Sequence, residues 1–184
     1  MIVETLESRR LMSGGVGSSI SAGKLTISGG ADASQIVVVE HNGDVWVNSP
    51  NPNISDPGTA NFHGVTGIAI NAQAKADTIY YTGDTIGAVI SSGGGNDSIF
   101  IDDTGTGSSY VNGGGGDDSI TVIHSHNTTV VGGGGHDQFY LNTANDQPAG
   151  GVYAGGGGGK NIFISYGGTV ITDASKQDTV IDLS

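Results

Sequence analysis

Four glycine tracts recur in one register along the second half of the chain: SGGGNDSIF (92–100), GGGGDDSIT (113–121), GGGGHDQFY (132–140) and GGGGKNIFI (156–164). Each leads to Asp97, Asp118, Asp137 or Asn161, and two residues later to Ile99, Ile120, Phe139 or Phe163. The four polar positions stand 21, 19 and 24 residues apart. Glycine loses more backbone entropy on ordering than any other residue, so a tract by itself reads as a flexible linker. A linker, however, needs no fixed distance from glycine to aspartate to a large apolar side chain, and here that distance is kept. The register extends without the glycines to KADTIYY, where Asp77 lies twenty residues before Asp97, and to QDTVIDL, where Asp178 lies seventeen after Asn161.

A second short β-prone segment falls between the tracts: AVI (88–90), SYV (109–111), TVV (129–131), VYA (152–154) and TVI (169–171). Helical periodicity is absent, and the glycines would break it. Two short strands and two turns in a period of about twenty residues predict one coil of a solenoid, each strand pairing with its equivalent one coil on. The glycine tracts then stack along one edge. The first part of the chain is looser: KLTI (24–27), QIVVV (35–39) and DVWV (44–47), then a proline-rich surface loop, NSPNPNISDPG (48–58), then VTGIAIN (65–71). The expected organisation is a mobile tail over 1–22, a cap or degenerate coils over 23–71 and the regular roll over 72–184. The fold class is all-β.

Composition removes several functions. Asp and Glu outnumber Lys and Arg by 18 to 6, for a net charge of -12, with no basic stripe, which excludes nucleic acid as a partner. Without cysteine there is neither a disulfide nor a thiolate metal site. No apolar run reaches membrane-spanning length. The N-terminal MIVETLESRRLMSGG lacks the apolar stretch of a Sec signal, so export, if it occurs, is expected by another route or on a signal absent from this sequence. No H-E-x-x-H, G-x-S-x-G or P-loop pattern occurs. His124 and His126 fall in a turn (123–127) and His136 in a variable slot of the repeat, so no enzymatic activity is expected.

Stacked tracts would bring Asp97, Asp118 and Asp137 about 4.7–4.9 Å apart, one strand spacing. Carboxylates in such a row repel one another and raise each other's pKa. A hard cation among them, with backbone carbonyls completing its shell, reverses that repulsion. Calcium accepts six to eight oxygens in flexible geometry, whereas magnesium requires near-ideal octahedra.

GGGGDDSIT and GGGGHDQFY match, position by position, the nonapeptide G-G-x-G-x-D-x-U-x, and the chain thereby resembles the RTX (hemolysin-type) calcium-binding repeats. The resemblance covers 92–164 well and the flanks 72–91 and 165–184 weakly. It implies a right-handed parallel β-roll, calcium held between successive loops, and an extracellular setting. Placed on this sequence, it assigns the metal loops to Gly93, Gly95 and Asp97, to Gly113, Gly114, Gly116 and Asp118, to Gly132, Gly133, Gly135 and Asp137, and to Asn161. Ser92 replaces one first glycine, a mild change. Asn161 replaces an aspartate and Lys160 precedes it, so calcium there is expected to be weaker, or Lys160 supplies the charge. Around Asp77 the glycines are gone and no proper loop site is expected. The opposite turns, 102–108 and 123–127, do not match the motif, so one calcium row is expected, with Asp102 and Asp103 read as solvated turn acids in preference to an extra site. LESRRLMS (6–13) further resembles the short LEPR-XLL motif of bacterial surface proteins, with Ser8 and Met12 departing from it.

If Ile79 and its equivalents point inward, alternation sends Tyr80, Phe100, Thr121, Tyr140 and Ile164 outward in a second column. That column is either packing under a loop or a lateral surface for self-association or a partner. The function expected is that of a calcium-binding, extracellular structural or adhesive roll whose folding depends on the metal. The alternatives are an accessory module of an exported enzyme and a calcium-independent β-helix. Ice binding, which needs an outward threonine ladder, does not fit the column.

Overall fold

The alternation of apolar and polar residues in the short runs is what the fold uses. The computed structural model describes residues 16–47, 60–125, 127–142, 152–166 and 169–183, and among them there is no helix. The strands are β1 (Gly17–Ser21), β2 (Lys24–Ser28), β3 (Gln35–His41), β4 (Asp44–Val47), β5 (Ala60–Phe62), β6 (Gly67–Asn71), β7 (Thr78–Gly83), β8 (Ala88–Gly94) and β9 (Ser98–Asp103). They continue with β10 (Tyr110–Gly115), β11 (Ser119–Ile123), β12 (Thr129–Gly134), β13 (Gln138–Asn142), β14 (Tyr153–Gly157), β15 (Ile162–Tyr166), β16 (Val170–Ile171) and β17 (Thr179–Asp182).

From β5 onward, successive strands alternate between two sheets. One runs β1-β2-β6-β8-β10-β12-β14-β16 and the other β5-β4-β3-β7-β9-β11-β13-β15-β17. Every pair from β2 to β16 and from β3 to β17 is parallel, so the chain winds as a β-solenoid of about five turns. Ile79, Ile99, Ile120, Phe139 and Phe163 are Cα partners from coil to coil and are buried. Ile70, Ile90, Val111, Val130 and Ala154 form the buried row of the other sheet. The core between these rows stabilises the coil by about 1.5–3 kcal/mol for each large apolar side chain removed from water. The Phe139 and Phe163 rings stack at 4.5 Å.

The N-terminal region differs from expectation in two respects. Residues 17–21, expected within a mobile tail over 1–22, form β1, which pairs antiparallel with β2; Ser18 is buried beneath it. Residues 1–15 and the proline-rich loop at 48–58 lie outside the described residues. Within 23–71, β2 and β3 make a true first coil in parallel register with β6 and β7, while β4 and β5 extend the second sheet antiparallel. At the other end β17 has no strand on its outer side among the described residues, and Val180, at an inward position, is 47 % exposed.

The glycine tracts are required by the stacking itself. Gly114 and Gly116 have φ of +97° and +128°, the left-handed side that glycine adopts freely. A β-carbon on Gly114 would overlap the Gly93 carbonyl, and one on Gly116 the Gly95 carbonyl, so successive loops touch through bare α-carbons. Gly115, between them, has open space around its α-carbon. Gly114→Ala is therefore expected to destabilise the fold by roughly 3 kcal/mol or more, through left-handed strain and overlap. Gly115→Ala should stay within about 0.5 kcal/mol of wild type. Denaturant unfolding of the two variants checks the contrast.

Candidate metal centre

The glycine loop turns the chain so that the aspartate after it points back into the stack. Asp97, Asp118 and Asp137 are 2 %, 2 % and 0 % exposed, and Asp77 and Asn161 are equally buried. In each, Oδ1 accepts the backbone N–H of the equivalent residue one coil earlier. Asp97 Oδ1 accepts the Asp77 N–H at 2.8 Å, Asp118 that of Asp97 at 2.9 Å, and Asp137 that of Asp118 at 3.0 Å. Asn161 continues the row by accepting the Asp137 N–H at 2.9 Å, and Asp178 by accepting the Asn161 N–H at 2.7 Å. At the start of the row Asp77 accepts the Ser34 N–H at 2.5 Å. One carboxylate oxygen thus ties each coil to the last.

The other oxygen has no donor. Oδ2 of Asp77, Asp97, Asp118 and Asp137 is buried without a hydrogen-bond partner. An ionised carboxylate with a dry, unpaired oxygen is costly, and each such atom calls for a proton or a cation. Burial, with smaller contributions from the neighbouring aspartates, pushes the Asp118 carboxyl up to about 7. Burial raises Asp77 and Asp137 as well. Asn161 shows the third solution: its Nδ2 sits where the aspartates have Oδ2 and donates to the Gly158 carbonyl at 3.4 Å.

The donor set fits calcium. It consists of hard oxygens only: one carboxylate oxygen per coil, with the loop carbonyls beside it. Beside Gly113 a β-carbon would meet Asp118 Oδ2 and the Gly132 carbonyl oxygen, and beside Gly132 it would meet Asp137 Oδ2 and the Gly156 carbonyl oxygen. A carboxylate and a carbonyl therefore converge at both places, the ligand types calcium takes. Among the described residues no group of three or more His, Cys, Asp or Glu side chains could by itself hold a metal ion, so a cation here would depend on backbone carbonyls as well as carboxylates. Carbonyls of the middle glycines are already engaged: Gly115 accepts the Gly95 N–H and Gly134 the Gly116 N–H, each at 2.7 Å.

All the loop positions read from the motif lie on this edge, and Gly93, Gly95, Gly133 and Gly135 share the positive φ of Gly114 and Gly116. Two expectations change. The loop before Asp77 keeps the same geometry without glycine, because Gln73 and Lys75 themselves adopt φ of 84° and 86°. Asp103 is not a solvated turn acid: it is fully buried and accepts the Gly105 N–H at 3.2 Å and the Ser109 hydroxyl at 2.6 Å. Asp102 does lie nearer the surface, against His124 Nδ1 at 3.1 Å. Lys160 is exposed, and its backbone N–H donates to His136 Nδ1 at 3.0 Å. His126 lies outside the described residues.

Sequence reasoning missed Glu40, buried on the opposite edge. Its Oε2 accepts the N–H groups of Asp84, Thr85 and Ile86 at 2.9, 2.8 and 3.1 Å, and its Oε1 that of Gly43 at 2.8 Å. The signal was its inward place in the alternation Ile36, Val38, Glu40. The outward column Tyr80, Phe100, Thr121, Tyr140 and Ile164 forms in register, with Tyr80 and Tyr140 exposed and the Tyr80 and Phe100 rings 5.9 Å apart. A second such column, Val89, Tyr110, Thr129, Tyr153 and Val170, lines the other sheet. It escaped notice because alternation was followed on one strand of each period only.

The raised carboxyl groups fix a sign. With a native pKa above the unfolded value, protonation favours the folded state, so stability is fully present below about pH 4 and is lost as pH rises through about 7. In chelator, lowering the pH from 7.5 to 5 should therefore favour the ordered state, by on the order of 3 kcal/mol for Asp118 alone, seen as a gain of β signal in circular dichroism. Saturating calcium should flatten or invert that slope.

Comparison of the chain with protein-family models, with curated proteins and with solved structures finds no match.

Proposed function

We propose that the chain is a calcium-binding structural or adhesive β-solenoid that works outside the cell or at its surface, and that calcium completes its fold. The observation that carries this reading is the row of buried aspartate oxygens without donors, each facing inward along the glycine edge. Four such atoms in one row amount to a repeated demand for positive charge. Calcium is dilute in the cytoplasm and abundant outside, so a roll with the weak sites of an extracellular module would stay incompletely ordered until exported. The exposed tyrosine-bearing columns on both sheets suit a lateral contact surface, for a second copy or for a partner. No helix of the described residues is long and apolar enough to cross a membrane.

One observation favours the alternative of a calcium-independent solenoid. The Oδ1 ladder already joins every coil to the next, and Asn161 continues it without a carboxylate. In that case the aspartates carry protons and the molecule folds best in mild acid. The accessory-module reading rests on the family resemblance alone.

Far-UV circular dichroism at pH 7.5 separates these. On the calcium reading the chain in chelator has little β signal, calcium restores it cooperatively, and magnesium at the same concentration does not. A spectrum rich in β-structure in chelator and unmoved by calcium would leave the metal-free solenoid.

A further inference from the structure

The chain has no cysteine, so no disulfide can tie one coil to the next, and its phenols are the side chains left for an oxidant to join. All six tyrosines lie among the described residues, and they are differently placed. Tyr81 is fully buried, and its hydroxyl donates to the Ile86 carbonyl. Tyr80 is exposed, but its ring neighbour is Phe100, which has no hydroxyl. Tyr110 and Tyr153 share the outward column of the other sheet, yet Thr129 stands between them in the register. Tyr140 and Tyr166 alone pair phenol with phenol. Their ring centroids are 5.6 Å apart, the planes tilted by 58°, and the two hydroxyls share a hydrogen bond.

The register accounts for this pair. Tyr140 lies opposite Ile164 and Asn142 opposite Tyr166, so the two tyrosines are diagonal neighbours on the outward face of β13 and β15. Tyr140 is 38 % exposed and Tyr166 half-buried, so the pair is open to an oxidant from solvent. The hydrogen bond holds the two oxygens together, and with them the ring carbons ortho to each oxygen.

We propose that Tyr140 and Tyr166 are a site of oxidative modification, joined as dityrosine by a peroxide acting through a haem peroxidase, and that the bond staples the coil of β13 to that of β15. Each phenol gives up one electron and its hydroxyl proton and becomes a phenoxyl radical. The two radicals combine in a carbon–carbon bond between ortho carbons, and the hydrogens on those carbons move to the oxygens to restore both phenols. One hydrogen peroxide takes up the two electrons and two protons and leaves as two waters. The coupling does not depend on calcium. It falls near the open end of the solenoid, where β15 is followed in its sheet only by β17 and Val180 is 47 % exposed.

The full chain in calcium, folded on either reading of the metal, is treated with hydrogen peroxide and a haem peroxidase, and the monomer is then isolated. It should show dityrosine fluorescence and the loss of two hydrogens in mass, with Tyr140 and Tyr166 in one cross-linked peptide pair. Tyr140→Phe and Tyr166→Phe should each abolish this product, while Tyr80→Phe and Tyr153→Phe should keep the wild-type yield. Closing a loop in the unfolded chain favours the fold, so the stapled monomer should unfold at a higher denaturant concentration than the untreated one. Dityrosine confined to dimers and larger species, or a monomeric product that survives in Tyr140→Phe, would overturn the proposal. An equal monomeric yield from chain unfolded in urea before oxidation would overturn it too, because the pairing in the fold would then not direct the coupling.

Discussion

The hydrogen bond from one coil's backbone to the next coil's aspartate is the interaction on which the rest of the solenoid depends. It runs from Ser34 through Asp77, Asp97, Asp118, Asp137 and Asn161 to Asp178, joining residues 17 to 43 positions apart in the chain. It brings the glycine loops into contact, and that contact is so close that the loops tolerate no β-carbon at their left-handed positions. At Asp77, Asp97, Asp118 and Asp137 it also buries a carboxylate with one oxygen engaged and one unpaired. Close stacking and local charge therefore conflict along this edge. A proton, an amide or a cation resolves the conflict, and the sequence uses the amide once, at Asn161.

The opposite edge shows how the same problem is solved without a cation. Glu40 and Asp103 are as deeply buried as the aspartate row, yet both carboxylates accept several donors, Asp103 from its own turn and Glu40 from its own turn and the turn of the next coil. A buried carboxylate whose oxygens accept N–H and O–H groups holds the turn together. The two edges differ in donors, not in burial.

Much of this was legible in the sequence. A fixed distance from glycine to aspartate to an apolar residue specifies stacked coils, because only equivalent positions in register can share a core row and a turn. The outward column at Tyr80, Phe100, Thr121, Tyr140 and Ile164 followed from alternation alone. What was not legible depends on neighbours that are distant in sequence. Gln73 and Lys75 adopt a left-handed backbone that their residue types disfavour, so the Asp77 loop was read as absent. The antiparallel β1 and β4 look like any other short strand until their partners are known. Ser92 reads as a mild replacement in the motif; only the register shows that its hydroxyl reaches the Gly113 carbonyl of the next coil.

The most direct test takes its design from Asn161. If an unpaired Oδ2 is what makes the fold need calcium, then supplying an amide in its place along the row should remove the need. The variant carrying Asp77→Asn, Asp97→Asn, Asp118→Asn and Asp137→Asn keeps the Oδ1 acceptors and adds a donor toward each loop. Its circular dichroism spectrum and thermal unfolding at pH 7.5, recorded in chelator and in calcium, should be the same and should match those of the calcium-loaded wild type. A fourfold variant that still orders only when calcium is added, or that stays unfolded with and without it, would contradict the account.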